Sequence, residues 1–292
     1  MNTILFSLFA DQHLSEKIIQ GLKCEKGEVI LHKFPDEENS ITIKSILKNK
    51  NVLLLVGLEK PNQKVLTLLF FAELARELGA SSITLIAPYL AYMRQDKRFN
   101  SGEGISAKYF ANILSHYFDS LLTIDPHFHR IHSLNELFTI SGAVLHATKQ
   151  IAHWIKANVV KPLVIGSDNE SKQWAEEIAY YSGAPFVILS KTRKDDRSVI
   201  VKLPDLDKFK DLTPVLVDDI ISTGKTMIEA VKELMLLNMK PPICIAVHGV
   251  FAENAYEELL SSSISKVVTC NTITHLSNEI DISELIIDFF RG

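Results

Sequence analysis

Short, nearly unbroken apolar runs recur along this chain, separated by stretches in which apolar residues return every three or four positions. Val52–Val56 and Ile83–Ala87 are two such runs; between them 62–78 carries helical spacing and stops at Gly79. Continuous rather than alternating apolar character predicts parallel strands covered on both faces, so this stretch reads as strand, helix, strand. The same order starts again with 163–166, a helix over 171–182 closed by Gly183, and a strand over 186–189. A further run, Val215–Val217, precedes Met227, Ile228, Val231, Leu234 and Met235 at helical spacing. The opening MNTILFSLFADQ has no basic segment and is broken by Asp11, so it reads as a first strand and not as a signal peptide. The expected fold class is α/β with mostly parallel sheets. Its boundary is expected near 141–147, before a helix over 146–157, and 283–290 reads as a last helix.

The densest chemistry lies in PVLVDDIISTGKT, residues 214–226. Asp218 and Asp219 fall at the carboxyl end of the 215–217 strand, where open α/β sheets bind ligands. Ser222, Thr223, Gly224, Lys225 and Thr226 then form the turn into a helix. Unpaired N–H groups and the positive end of the helix dipole meet there, hydroxyls add donors around a phosphate, and Gly224 lets the backbone come close. A phosphate would repel the two carboxylates, whereas vicinal sugar hydroxyls or a magnesium ion would satisfy them. A phosphorylated ribose therefore suits both halves. A Walker A loop would need glycine where Asp219 stands, and acids that only cap a turn account for one Asp but not two beside three hydroxyls.

This segment resembles the phosphoribosyl pyrophosphate loop of type I phosphoribosyltransferases and of ribose-phosphate pyrophosphokinases. PYLAYMRQDKR at 88–98, followed by GEGIS at 102–106, closely resembles the ATP-contacting segment of the pyrophosphokinases. Arg94, Lys97 and Arg98 suit polyphosphate, while Gln95 and Asp96 offer polar edges to a base or ribose. FPDEE at 34–38 resembles the Phe-Ser-Asp-Gly-Glu hairpin of that family, which reaches into a neighbouring subunit and holds adenine; Phe34 would stack, and Asp36 and Glu38 would accept hydrogen bonds. Pro35 and Glu37 stand where the family has Ser and Gly. TIDPHFHRIH at 123–132 invites a zinc reading, but no Cys or fourth ligand is near in sequence. Its resemblance is to the family's Asp-x-His segment, which implies that His127 contacts the magnesium-nucleotide and leaves His129 and His132 without a role. Asp168 matches a metal- and pyrophosphate-loop aspartate, although Asn169, Glu170 and Ser171 follow it where many members have glycines. SKTRKDDR at 190–197 resembles the mobile catalytic loop, in which Lys191 and Arg193 would neutralise charge on the transferred group.

With 292 residues, 47% of them hydrophobic, the chain can bury two modest cores. Its 31 basic and 35 acidic side chains give no electrostatic case for nucleic acid, no run is long enough to span a membrane, and positive charge for polyphosphate must be local. Cys24, Cys244 and Cys270 are scattered, which suits a reducing, cytoplasmic setting. The resemblance covers nearly the whole chain. It implies two similar type I phosphoribosyltransferase-like domains, 1–143 and 144–280, with 281–292 packing back on the first. The activity it implies makes 5-phosphoribosyl 1-pyrophosphate and AMP from ATP and ribose 5-phosphate, with Mg2+, in a homo-oligomer built as a dimer or a multiple of dimers. A plain phosphoribosyltransferase has no use for the RQDKR segment. A non-catalytic regulatory subunit of the same fold is the alternative suggested by the departures around Pro35 and after Asp168.

Overall fold

The computed structural model describes residues 2–292 except 99, 129, 168–170, 196–197 and 203–205, with backbone alone over 190–195 and 198–202. Contacts divide it into two units. One runs to Leu145 and includes Thr272–Thr274 and Ser283–Gly292; the other holds His146–Asn271 and His275–Ile282.

In chain order the first unit contains β1 (Thr3–Leu8), α1 (Gln12–Leu22), β2 (Glu25–Lys26), β3 (Val29–Lys33), β4 (Asn39–Ile43), β5 (Asn51–Val56), α2 (Val65–Glu77), β6 (Ser82–Ala87), α3 (Ser106–Tyr117), β7 (Ser120–Ile124) and β8 (Ser141–Leu145). Six of its strands form one parallel sheet in the order β2-β1-β5-β6-β7-β8, and β3 and β4 form a separate antiparallel ribbon. Burial along nearly all of β5, and along β6 apart from Ser82 and Thr84, explains why these segments read as nearly unbroken apolar runs. Phe6 on β1 meets Phe71 on α2 edge-to-face at 5.0 Å in this core. Asp11 starts α1 by accepting from the Leu14 N–H at 2.7 Å, a cap that contributes about 1 kcal/mol.

The second unit contains α4 (Thr148–Asn158), β9 (Pro162–Gly166), α5 (Lys172–Ser182), β10 (Phe186–Ile188), β11 (Ser190–Asp195), β12 (Ser198–Lys202), β13 (Thr213–Ile221), α6 (Lys225–Leu236), β14 (Ile243–Gly249), α7 (Ala255–Ser261), β15 (Lys266–Cys270) and β16 (Asn278–Ile280). Its parallel sheet runs β10-β9-β13-β14-β15-β16, again with a separate antiparallel ribbon, β11-β12. Position for position this is the strand order of the first unit, so one topology occurs twice. The final helix, α8 (Ser283–Arg291), follows β16 but packs on α1 of the first unit. There Arg291 Nη2 donates to the Gly21 carbonyl at 2.6 Å, and Gly21 leaves room for Ile287, which a Cβ would approach to 2.4 Å. In the second unit α4, which follows β8, packs on α5 in the matching place. Cys24, Cys244 and Cys270 are free thiols, and burial pushes that of Cys244 up to about 12. No described helix is long and apolar enough to cross a membrane.

Candidate functional site

In each sheet the chain turns back at one point. In the second unit β9 connects outward to β10, while β13 lies on its other side, so the carboxyl ends of β9 and β13 form a topological switch point. The sequence places a strand only at 215–217, but β13 continues through both acids to Ile221. The reason is its neighbours. β9 stops pairing at Val217↔Gly166, whereas β14 keeps pairing out to Ile221↔Gly249. Asp218 and Asp219 are therefore held in an extended backbone along an edge that has lost its β9 partner. Both are half-buried, and the Asp219 N–H donates to Asp218 Oδ1 at 3.0 Å.

Ser222 and Thr223 form a bend, and Gly224 enters α6 with a φ of 69° and no side-chain cap. The first turn of α6 thus offers the N–H groups of Lys225 and Thr226 without an intrahelical acceptor, beside the hydroxyls of Ser222, Thr223 and Thr226. A left-handed φ favours glycine, and a Cβ here would also lie 3.2 Å from Leu259 on α7.

The segment after β6 is anchored by alternate apolar side chains. Leu90, Ala91 and Met93 are buried, Tyr92 packs on Phe110 at 4.8 Å, and Arg94, Lys97 and Arg98 remain exposed. Gln95 and Asp96 also make contacts within the chain. The amide of Gln95 donates to Glu103 Oε1 at 2.8 Å and accepts from Ser106, bracing the start of α3. The Asp96 side chain is only 2% exposed; Oδ1 accepts from Arg130 Nη1 at 2.9 Å, and the buried Oδ2 has no hydrogen-bond partner among the described residues. Arg130 was not legible as a site residue. It ties the 88–98 segment to the segment after β7, and the Ile124 N–H at the end of β7 donates to the Pro88 carbonyl at 3.2 Å. Half-buried His127 follows Asp125, which is buried with a φ of 36°. His129 lies outside the described residues, and His132 is exposed with its N–H on Glu136 Oε1.

Phe34 and Glu38 close the β3–β4 ribbon, the Phe34 N–H donating to the Glu38 carbonyl at 2.8 Å. Glu37 takes a φ of 73°, in the left-handed region that favours glycine, and pairs with Lys33 at 2.9 Å, which holds its carboxyl below the usual range. Phe34 is 43% exposed, edge-on to His32 at 4.6 Å, and Asp36 and Glu38 are exposed. Residues 190–195, read from sequence as a loop, are strand β11 paired with β12, with a register irregularity between Arg193 and Asp195. Lys191 and Arg193 stand two apart on it. This ribbon occupies the same place in the second unit as β3–β4 does in the first. Asp168 lies outside the described residues.

Residues 3–117 match the N-terminal domain of ribose phosphate pyrophosphokinase, and residues 134–283 match the phosphoribosyl transferase domain. A ribose-phosphate pyrophosphokinase of Sulfolobus acidocaldarius is 35% identical over 285 residues, covering 94% of both chains. The chain belongs to the ribose-phosphate pyrophosphokinase family. A pyrophosphokinase of Pyrococcus abyssi is 29% identical over 279 residues, again with 94% of each chain covered. The crystal structure of phosphoribosylpyrophosphate synthetase from Mycobacterium smegmatis superposes with a TM-score of 0.86 at 25% identity, covering 100% of this chain and 98% of that one. Family membership accounts for the two phosphoribosyltransferase-like units and their parallel sheets. Both pyrophosphokinase segments read from the sequence, 34–38 and 88–98, lie in the part matched to the N-terminal domain.

Proposed function

We propose that this chain transfers the pyrophosphoryl group of ATP to the C1 hydroxyl of ribose 5-phosphate, giving 5-phosphoribosyl 1-pyrophosphate and AMP. The observation that carries this reading is the end of β13, where two half-buried carboxylates precede an uncapped helix start entered by a left-handed Gly224. Carboxylates there accept from the ribose 2- and 3-hydroxyls, and the 222–226 turn takes the 5-phosphate. Phe34, Asp36, Glu38, Arg94, Gln95, Asp96 and Lys97 are the proposed ATP contacts. Gln95 and Asp96 also brace the backbone of that site through Glu103, Ser106 and Arg130.

Lys191 and Arg193 are proposed to neutralise the charge that develops on the transferred group. His127 and Asp168 are proposed to organise Mg2+ with the nucleotide. Magnesium usually keeps waters and substrate phosphates as ligands and takes one or two carboxylates from the protein, a demand that Asp218 and Asp219 also fit. When bound, it would neutralise phosphate charge and align the phosphoryl chain for in-line attack.

The direct test is purified chain with ATP, ribose 5-phosphate and Mg2+, scored for AMP and 5-phosphoribosyl 1-pyrophosphate together. Folded protein that binds both substrates and releases no AMP would remove the catalytic assignment and leave a regulatory one. Lys191→Ala and Arg193→Ala should lower kcat far more than they raise KM. We also propose a cytoplasmic homo-oligomer in which the 34–38 hairpin completes a neighbour's adenine site. Mixing Phe34→Ala/Glu38→Ala protein with Lys191→Ala/Arg193→Ala protein should then restore activity after verified subunit exchange.

A further inference from the structure

We propose that Phe251, Tyr256 and His275 form a clamp that holds the 221–224 turn in its sugar-phosphate-binding shape, which makes them positioning residues for ribose 5-phosphate. This inference rests on the reading of that turn given above. None of the three belongs to a motif singled out in the sequence.

The turn is not self-supporting. Past Val217, among the described residues, the β13 backbone pairs with β14 alone, and beyond Ile221 that ladder ends. What continues the support is the segment after β14. The N–H groups of Val250 and Phe251 both donate to the Ile221 carbonyl at 3.0 Å, and the Ala252 N–H donates to the Ser222 carbonyl at 3.0 Å. These bonds require an unusual path, because Phe251 and Glu253 have φ values of 43° and 57°, the left-handed region that side chains with a Cβ avoid. Such a conformation persists only where surrounding contacts over-determine it.

The aromatic cluster supplies those contacts. The Phe251 ring folds back on Gly249, where a Cβ would come within 2.5 Å of it. It meets the His275 ring at 4.4 Å and the Tyr256 ring at 5.1 Å, and Tyr256 meets His275 at 4.6 Å. His275 is pinned in turn. Its Nδ1 accepts from the Ser277 N–H at 3.2 Å, and its own N–H donates to Asn278 Oδ1 at 2.8 Å. Asn278 bonds back to Thr269 Oγ1 and to the Cys270 carbonyl, so the clamp is tied to β15, a strand paired on both sides in the sheet. Tyr256 lies on α7, whose Leu259 and Ala255 carbonyl also lie beneath Gly224. One short helix thus braces both ends of the turn.

The test uses full-length protein carrying Phe251→Leu, Phe251→Tyr or His275→Ala, each checked for retained far-ultraviolet circular dichroism. Amide hydrogen exchange read on peptides covering 219–227 should be about tenfold faster in Phe251→Leu and His275→Ala, with first-unit peptides unchanged. Phe251→Tyr, which keeps the ring, should exchange as wild type. Calorimetry should show ribose 5-phosphate weakened about tenfold in the first two variants and ATP unaffected. Unchanged exchange over 219–227 in folded Phe251→Leu and His275→Ala overturns the clamp, as does equal weakening of both substrates. If wild-type chain binds no ribose 5-phosphate, the sugar-phosphate reading fails instead, and the exchange data still decide whether the clamp exists.

Discussion

Gly224→Ala separates two costs at the site that a second glycine isolates. Gly224 and Gly183 have nearly the same backbone, φ of 69° and 72°, and each lies at a helix end. A Cβ on Gly183 would meet nothing within 4 Å, whereas one on Gly224 would lie 3.2 Å from Cδ1 and 3.3 Å from Cγ of Leu259, which is fully buried. Gly183→Ala therefore carries only the left-handed penalty for an L side chain, roughly 1–2 kcal/mol. Gly224→Ala adds an overpacking term of about 1 kcal/mol or more, because Leu259 has no solvent-side room to withdraw. The expected losses are about 1–2 and about 2–3 kcal/mol respectively. Urea unfolding read by tryptophan fluorescence suits the comparison, since both tryptophans, Trp154 and Trp174, lie in the second unit. Gly224→Ala should also weaken ribose 5-phosphate at least about tenfold, an effect absent from Gly183→Ala. Equal stability losses in the two variants would refute the Leu259 contact, and no loss in either would refute the left-handed assignment itself.

Three further outcomes are expected. Asp219→Asn removes a charged acceptor and should weaken ribose 5-phosphate about tenfold to a hundredfold while leaving ATP affinity unchanged, both measured by calorimetry. Arg130→Met leaves the buried Asp96 carboxylate unpaired and should cost about 1–3 kcal/mol in urea unfolding followed by circular dichroism, a loss that Asp96→Asn in the same chain should largely recover. Burial holds His275 below the ordinary imidazole value against an opposing pull from Glu257. The unfolded chain therefore binds more protons between those two values, and stability should fall as pH drops through the usual imidazole range toward the lowered folded value. His275→Gln should flatten that slope; a wild-type profile with no slope there would contradict the lowered value.

The strands and helices that cross the cores were legible because parallel strands buried on both faces leave continuous apolar runs. β5, β6 and β9 begin within a residue of the runs read for them. The extension of β13 through Asp218 and Asp219 was not legible, because polar residues in a strand are permitted by its neighbours and β14 happens to outreach β9. Residues 190–195 read as a loop because a strand as charged in sequence as SKTRKD, paired in a ribbon outside the main sheet, has no apolar run to announce it. At the site, ordered motifs marked the 218–226 turn. Arg130, Phe251 and His275 carried no signal, since each acts through a partner distant in sequence. Gln95 and Asp96 are motif residues whose side chains also hold a loop.

The repeated topology explains why only one of the two switch points is read as a sugar-phosphate site. In the first unit the matching crevice lies past the carboxyl ends of β1 and β5. There Gly57 packs so closely that a Cβ would lie 2.1 Å from the Phe9 carbonyl oxygen, and Phe9 itself has a φ of 59°. Lys64, just ahead of α2, sends its Nζ back to the Gly57 carbonyl at 2.8 Å, pairs with Glu59, and lies 5.4 Å from the centre of the Phe9 ring. The counterpart of the 222–226 turn thus holds a cation already neutralised by its own chain and no triple-hydroxyl bend. A phosphate entering it would have to break a partly buried ion pair before gaining any helix N–H, a loss that one anion at one helix end, worth about 0.3–1 kcal/mol in exposed settings, does not offset. In the second unit the same frame places glycine where the first has this sealed turn, and the N–H groups at the start of α6 are left for a ligand.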